Sequence, residues 1–346
     1  MSWLDLEKQL GGTWPAIRAA RERANAQMER VRNVVTHGEA PIDSEDISVV
    51  VFGSLARGEW TSGSDLDWTL LIDGQADHRH ALTAHELAKA IDAEHFRGPG
   101  ATGVFGNMAF SPSLIHQIGG DDDTNQNTTR RLLLLLESRP VNRADAYDRV
   151  IKAILSRYLH DYRRFRVGIP HFLLNDLQRY WRTMCVDYAF KNRERSGTKW
   201  ALRVIKLRFS RKLIFAAALL TCLRCDSTLL PVEDRDRLET LGVDGMVEHL
   251  RTHACRPPLE IMAEGLLQFG PPGTATKVLN AYDEFLERIN DPHVRQTLEE
   301  LSPFEEDNAV LKQLKDVGKR FQDGIVALFF DDSPALGKLV RSFGLF

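Results

Sequence analysis

Two aspartates one residue apart, Asp65 and Asp67, follow a Gly-Ser pair, Gly53-Ser54, in the segment VFGSLARGEWTSGSDLDW at residues 51–68. Alternate residues of an extended chain share a face, so Asp65 and Asp67 project together while Leu66 and Trp68 project to the other side. Adjacent carboxylates repel each other unless a hard divalent cation neutralises them, and Mg²⁺ takes one or two carboxylates together with phosphate oxygens. Gly53 lets the backbone pass close to a phosphate. Ser54 and the N–H groups of the turn it starts can donate to the β- and γ-phosphates of a nucleotide. The chemistry indicated is a metal site beside a phosphate site.

Such a pair needs a rigid support. Ile47 to Phe52 (ISVVVF) is a short β-branched run that ends abruptly at Gly53-Ser54, and Asp65 to Ile72 (DLDWTLLI) is a second run closed by Asp73-Gly74. One short helical turn fits between them. Upstream, residues 14–37 read as a helix, with Pro15 in its first turn and Ile17, Ala20, Ala24, Met28 and Val31 at helical spacing. Downstream, residues 81–95 read as a helix and residues 103–111 as a third strand. A polar loop, Gly119 to Thr129, then precedes a helix start at Arg130 to Glu137. From residue 145 onward the pattern is helical, broken at Gly168 to Pro170, Arg193 to Gly197, Pro257-Pro258 and Gly270 to Gly273. The expectation is a small α/β unit followed by an all-helical one.

Composition agrees with two folded units. Single cores stop growing near ~250 to 300 residues, and the chain has 346, of which 43% are hydrophobic and 27% charged. The N-terminal MSWLDLEKQLGG lacks a signal-peptide core, and the apolar runs at 132–136 and 213–220 fall short of the ~20 residues that span a bilayer. A cytoplasmic location is the expectation. Four cysteines do not make a disulfide scaffold in a chain of this length. Cys222-x-x-Cys225, with His253 and Cys255, has partial zinc-ligand spacing, but it ends an apolar helical run and no second CxxC exists; buried thiols are the expected state. The net charge of -3 hides an asymmetry, since residues 149–212 hold 17 Lys/Arg against 4 Asp/Glu. That segment focuses a positive potential suited to the phosphates of a nucleotide or a nucleic acid strand.

Gly53-Ser54, Arg57-Gly58 and Ser64-Asp65-Leu66-Asp67 resemble the hG[GS]…DhDh signature of the DNA polymerase β superfamily of nucleotidyltransferases. The resemblance implies an α+β fold in which a small mixed-sheet catalytic domain, residues 1–144, precedes a helical nucleotide- and acceptor-binding domain, residues 145–346. It implies that Asp65 and Asp67 bind two Mg²⁺ ions, or Mn²⁺ in their place. Gly53, Ser54 and Arg57 then hold a nucleoside triphosphate, whose α-phosphate is attacked in line by a hydroxyl. The family supplies a third carboxylate from a later strand, for which Asp121, Asp122 and Asp123 stand at a plausible separation. The chain also resembles the uridylyltransferase of the PII protein in running from a polar loop into a Leu-rich helix ending in Glu-Ser.

Two helical stretches carry further candidates. On Phe172 to Lys191, Leu174, Leu177, Trp181, Met184 and Tyr188 form a core stripe, and Asp176, Arg179, Tyr180, Thr183, Asp187 and Lys191 fall on the opposite face. Lys199, Arg203, Lys206 and Ser210 share a second stripe, and Lys206 and Ser210 are similar to the pair with which template-independent family members hold the triphosphate tail. More narrowly, residues 45–215 resemble a bacterial nucleotidyltransferase family associated with anti-phage defence, the Hailong enzyme among its members. That resemblance implies an oligonucleotide signal, a separate membrane effector and a priming tyrosine, for which Tyr180 is the candidate and Tyr188 a core residue. The same site would serve an enzyme that nucleotidylates a protein or a tRNA. A non-catalytic nucleic-acid-binding module is the remaining alternative, distinguished by tight binding without Mg²⁺.

Overall fold

The computed structural model describes residues 3–37, 42–99, 104–160, 167–194 and 199–344, with the side chains of 190–194 outside that description. Its helices are α1 (Trp3–Leu10), α2 (Pro15–His37), α3 (Gly53–Arg57), α4 (His78–Ala93), α5 (Ser111–Ile115), α6 (Asn125–Leu136), α7 (Asp145–His160) and α8 (His171–Glu194). They continue as α9 (Trp200–Lys206), α10 (Lys212–Leu223), α11 (Val232–Ala254), α12 (Pro258–Phe269), α13 (Pro272–Asn290), α14 (Pro292–Glu300), α15 (Ala309–Val326) and α16 (Pro334–Phe343). Turns of π-helix, Leu207–Arg211 and Ala327–Asp332, join α9 to α10 and extend α15.

Four strands, β1 (Ile47–Phe52), β2 (Trp68–Ile72), β3 (Asn107–Phe110) and β4 (Ser138–Pro140), form one mixed sheet in the order β3-β2-β1-β4. The central strand β1 runs antiparallel to both β2, with Val49 opposite Leu70, and β4, with Phe52 opposite Ser138; β2 and β3 are parallel. Every residue of β1 and β2 is buried, because helices cover both faces. On one face Val49, Val51, Leu66, Trp68 and Leu70 pack with Met28, Val31 and Val35 of α2 and Leu87 and Ile91 of α4. On the other, Val50, Phe52 and Leu71 join a core shared with Leu132 to Leu136 of α6 and Ile151 and Ile154 of α7.

That second core continues through the helical region and back to the N-terminus, so Trp3, Leu6, Trp14 and Ile17 share it with Tyr282 and Phe285. Trp14 Nε1 donates to Asn280 Oδ1 at 2.8 Å, and Asp283 Oδ1 accepts from the Ile17 N–H at 2.8 Å, which seats the start of α2 on α13.

The structure shifts several expected boundaries. Regular pairing in β2 begins at Trp68, so Asp65, Leu66 and Asp67 form an extended lead-in, tied by Phe52 N–H to Asp67 O at 2.9 Å. Leu66 and Trp68 are buried as the alternation expects. Helix α6 starts five residues before Arg130, because the Thr124 hydroxyl accepts from the Asn127 N–H at 3.1 Å and caps it. Strand β4 was not expected from its three-residue sequence, Ser-Arg-Pro. Residue 103 of the expected third strand, residues 195–197 of an expected break and the Lys191 side chain lie outside the described residues.

Candidate active site

The chain leaves β1 at Phe52 and turns at once into α3, which requires Gly53 to adopt φ +64°. Only glycine takes that conformation without strain, and here the space is also restricted: a Cβ at position 53 would lie 3.0 Å from Asp67 Oδ2. The Gly-Ser turn and the aspartate lead-in are thus packed side by side. A second close approach fixes the loop between them, where the Arg295 guanidinium lies over Gly63 and donates to its carbonyl. Any side chain at 63 would collide with it.

These residues open onto a cleft of about 690 Å³ between the sheet and the helical region. Gly53, Ser54, Asp65 and Asp67 line one side, and Lys206, Ser210, Arg211 and Arg295 line the other. Both the volume and the convergence of polar groups suit a nucleotide. Lys206 ends α9, and Ser210 sits in the π turn that follows. A π turn changes the phase of a helix, and such turns recur at functional sites. Lys199 and Arg203, on the same expected stripe, are directed elsewhere. The Lys199 ammonium pairs with Glu299 at 3.2 Å, and Arg203 Nε donates to the Lys199 carbonyl at 3.3 Å. Arg203 therefore does not line the cleft, whereas Arg211 and Arg295, which the sequence reading missed, do.

Charge in the cleft is poised for a cation and a polyanion. Burial, with Glu137 and Asp65 nearby, pushes the Asp67 carboxyl up to about 7 against the opposing pull of Lys206 and Arg57. Burial, with Arg295 nearby, pulls the Lys206 amine down to about 8, opposed by Asp65. Each group is held in an environment that favours its neutral form until a partner of opposite charge arrives. Asp65 Oδ1 lies 2.9 Å from Arg97 Nε, a pair open to solvent on both sides. Among the described residues no three His, Cys, Asp or Glu side chains converge on one metal position. The all-oxygen pair Asp65 and Asp67 fits Mg²⁺, which completes its shell with phosphate oxygens and water.

Glu137 is the acidic residue that the sequence reading passed over. It lines the cleft, forms the C-cap of α6 and precedes β4, whose pairing of Ser138 with Phe52 carries Glu137 alongside the Gly53 turn. The available signal was the Leu-rich run ending in Glu-Ser, an apolar segment that ends on a carboxylate. The loop acids do something else. Asp123 is buried and binds Arg131 through both oxygens, at 3.1 and 2.9 Å, while Asp176 and the Tyr158 hydroxyl complete the Arg131 shell. The Asp123 carbonyl also accepts from Arg179 of α8 at 3.3 Å, so Asp123 ties the turn to both α6 and α8. Asp121 and Asp122 are exposed in the turn before α6, and none of the three lines the cleft.

Arg57 and Tyr180 stand in surroundings that the sequence does not express. Arg57 lines the cleft, but its guanidinium is shared between Glu59, at 2.8 Å, and Glu137, so its charge is already matched within the protein. Burial works against that charge, yet the two glutamates hold it above the ordinary value. Tyr180 is not on a solvated face. With α8 packed against both α6 and α10, it is only 3% exposed, in the cleft wall, and burial, with Glu137 nearby, raises its hydroxyl pKa. Tyr188 is half-buried against the core. Cys222 and Cys225 are free and buried, and burial pushes the Cys225 thiol up to about 12.

Over the Gly-Ser turn and the paired aspartates the chain is similar to nucleotidyltransferase domains. Residues 39–95 match the model of the family described as nucleotidyltransferase domain, a span that contains Gly53, Ser54, Arg57, Asp65 and Asp67 and excludes Glu137 and Lys206. Among curated proteins no match to the chain is found. Among the described residues no helix is long and apolar enough to cross a membrane.

Proposed function

We propose that this protein is a Mg²⁺-dependent nucleotidyltransferase that binds a nucleoside triphosphate in the cleft and transfers its nucleotidyl group to a hydroxyl without a template. The observation that carries this reading is the meeting of Gly53-Ser54 and Asp65/Asp67 with Lys206 and Ser210 across one cleft. Ser54, Lys206 and Ser210 would hold the β- and γ-phosphates, with Arg295 adding positive charge behind them. Asp65 and Asp67 would hold divalent cations, which supply Lewis-acid stabilisation of the attacking and leaving oxygens. The acceptor oxygen forms a bond to the α-phosphorus, the bond to the bridging α–β oxygen breaks, and pyrophosphate leaves. Glu137, which lines the cleft, would take the acceptor proton.

Tyr180 is the one tyrosine hydroxyl lining the described part of the cleft, and Glu137 lies near it. It is the chain's own candidate acceptor, which would make the first product a covalent nucleotidyl-protein. The narrower reading, an oligonucleotide signal in anti-phage defence passed to a membrane effector, rests on the resemblance over residues 45–215 and on no feature of the cleft. Incubation of the protein with each labelled NTP and dNTP plus Mg²⁺, followed by separation with and without protease, tests the assignment. An oligomer ladder supports polymerisation, and a label lost with protease and absent in Tyr180→Phe supports self-priming. Label appearing only when a second protein or tRNA is added favours the toxin-like alternative, and Mg²⁺-independent binding with no label favours the binding module.

A further inference from the structure

Five side chains run from the floor of the cleft to the helical wall. Glu137 pairs with Arg57, Arg57 Nε donates to Glu59 Oε2 at 2.8 Å, the Tyr282 hydroxyl donates to Glu59 Oε1 at 2.8 Å, and the Ser210 hydroxyl lies 3.5 Å from that of Tyr282. Glu59 is 4% exposed and Tyr282 fully buried, so these contacts are largely withdrawn from solvent. Glu59 lines the same cleft, but its two carboxylate oxygens are engaged by Arg57 and Tyr282. Such a buried carboxylate is costly unless its pairing matters.

From this chain we infer that Glu59, oriented by Tyr282, is a positioning residue for the divalent-cation site. It divides the Arg57 guanidinium between two carboxylates, and so keeps Glu137 from being fully neutralised beside Asp67. The inference rests on the nucleotidyltransferase reading of the cleft. A guanidinium with one anionic partner binds that partner more tightly than one shared between two, because each carboxylate loses part of the attraction to the other. Removing the charge of Glu59 concentrates Arg57 on Glu137 and makes the region around Asp67 less negative, which weakens cation binding. Tyr282 comes from α13 and also approaches Ser210, so the same chain connects the phosphate side of the helical wall to the carboxylate side of the sheet.

The test is Mn²⁺ binding to the full-length protein by paramagnetic resonance or calorimetry, in the presence of a non-hydrolysable nucleoside triphosphate, for wild type, Glu59→Gln and Tyr282→Phe. Circular dichroism and Tm establish that each variant is folded. Glu59→Gln is expected to raise the Mn²⁺ Kd on the order of tenfold. Tyr282→Phe, which loses only the hydroxyl that orients Glu59, is expected to raise it in the same direction by roughly two- to fivefold, and serves alone if Glu59→Gln does not fold. The Mg²⁺ concentration for half-maximal transfer should rise in parallel, with the KM for nucleotide at saturating Mg²⁺ unchanged. A merely structural role lowers Tm and leaves the Kd of the folded protein where it was; unchanged Mn²⁺ affinity in folded variants overturns the inference while leaving the site assignment intact. Absence of Mn²⁺ binding to the wild type in the presence of nucleotide overturns both.

Discussion

Gly53 and Asp67 are in near contact, since a methyl group on residue 53 would come within 3.0 Å of Asp67 Oδ2. The turn proposed to receive phosphate and the carboxylate proposed to receive metal are thereby fixed relative to one another by the absence of one side chain. Gly53→Ala must relieve both a φ of +64° and this contact, at a backbone cost of about 1 kcal/mol or more. The expected result is a folded protein whose kcat/KM for nucleotide falls roughly 10- to 100-fold, measured by steady-state kinetics beside a Tm determination.

Asp67 makes the metal-free protein less stable as pH rises. Its folded-state carboxyl sits at about 7, above the 3.8 of an unperturbed aspartate, so the folded chain keeps a proton that the unfolded chain has released. Stability is therefore lost progressively as pH climbs from the unfolded value through the folded one, and the loss is complete above it. Metal-free Asp67→Asn should melt a few degrees higher than wild type at pH 8, with the difference disappearing near pH 4. Mg²⁺ with nucleotide should raise the Tm of wild type much more than that of the variant. Equal melting temperatures across the pH range would argue against a buried, cation-seeking carboxylate.

Lys206 gives a second pH signature, of opposite origin. Its amine, held at about 8 by burial and Arg295, must be protonated to pair with a triphosphate. Nucleotide affinity should fall as pH rises from about 7 to about 9. Lys206→Arg, which keeps its charge across that range, should lose the pH dependence, and Lys206→Ala should raise KM at every pH. Binding titrations by calorimetry at three pH values distinguish these cases.

Asp123 separates architecture from chemistry. Its pairing with the fully buried Arg131 holds the turn before α6 to that helix, so Asp123→Asn should destabilise the fold by about 3 kcal/mol or more. The folded fraction should retain its specific activity. Asp121→Asn and Asp122→Asn, on the exposed turn, should change stability by roughly 0.5 kcal/mol or less. Loss of turnover in any of the three at unchanged stability would return the third-acid role to this loop.

The parts of the site legible in the sequence were those fixed by local geometry. The β-branched run to Phe52, the glycine turn and the alternation of Asp65 and Asp67 with Leu66 and Trp68 each follow from residues within one or two strand lengths, and the structure places them together. Lys206 and Ser210 were legible through their four-residue spacing. Arg203 was not, because it lies one turn before Lys206 on α9, which packs against α14, and its guanidinium donates to the Lys199 carbonyl. Glu137 was missed because β4 is three residues long and gains its identity only by pairing with β1. The burial of Tyr180 depends on α6 and α10 closing over α8 from both sides, which no periodicity in α8 itself expresses.

The central claim is transfer of a nucleotidyl group, and the position of a radiolabel tests it most directly. Protein, Mg²⁺ and a nucleoside triphosphate labelled at either the α- or the γ-phosphorus should give phosphatase-resistant label on acceptor or oligomer only from the α-label, because each donor releases its γ-label as pyrophosphate. Asp65→Asn and Asp67→Asn, both folded, should abolish nearly all of that transfer. Phosphatase-resistant label on the product from the γ-position, or α-label transfer undiminished in both variants, would contradict the account.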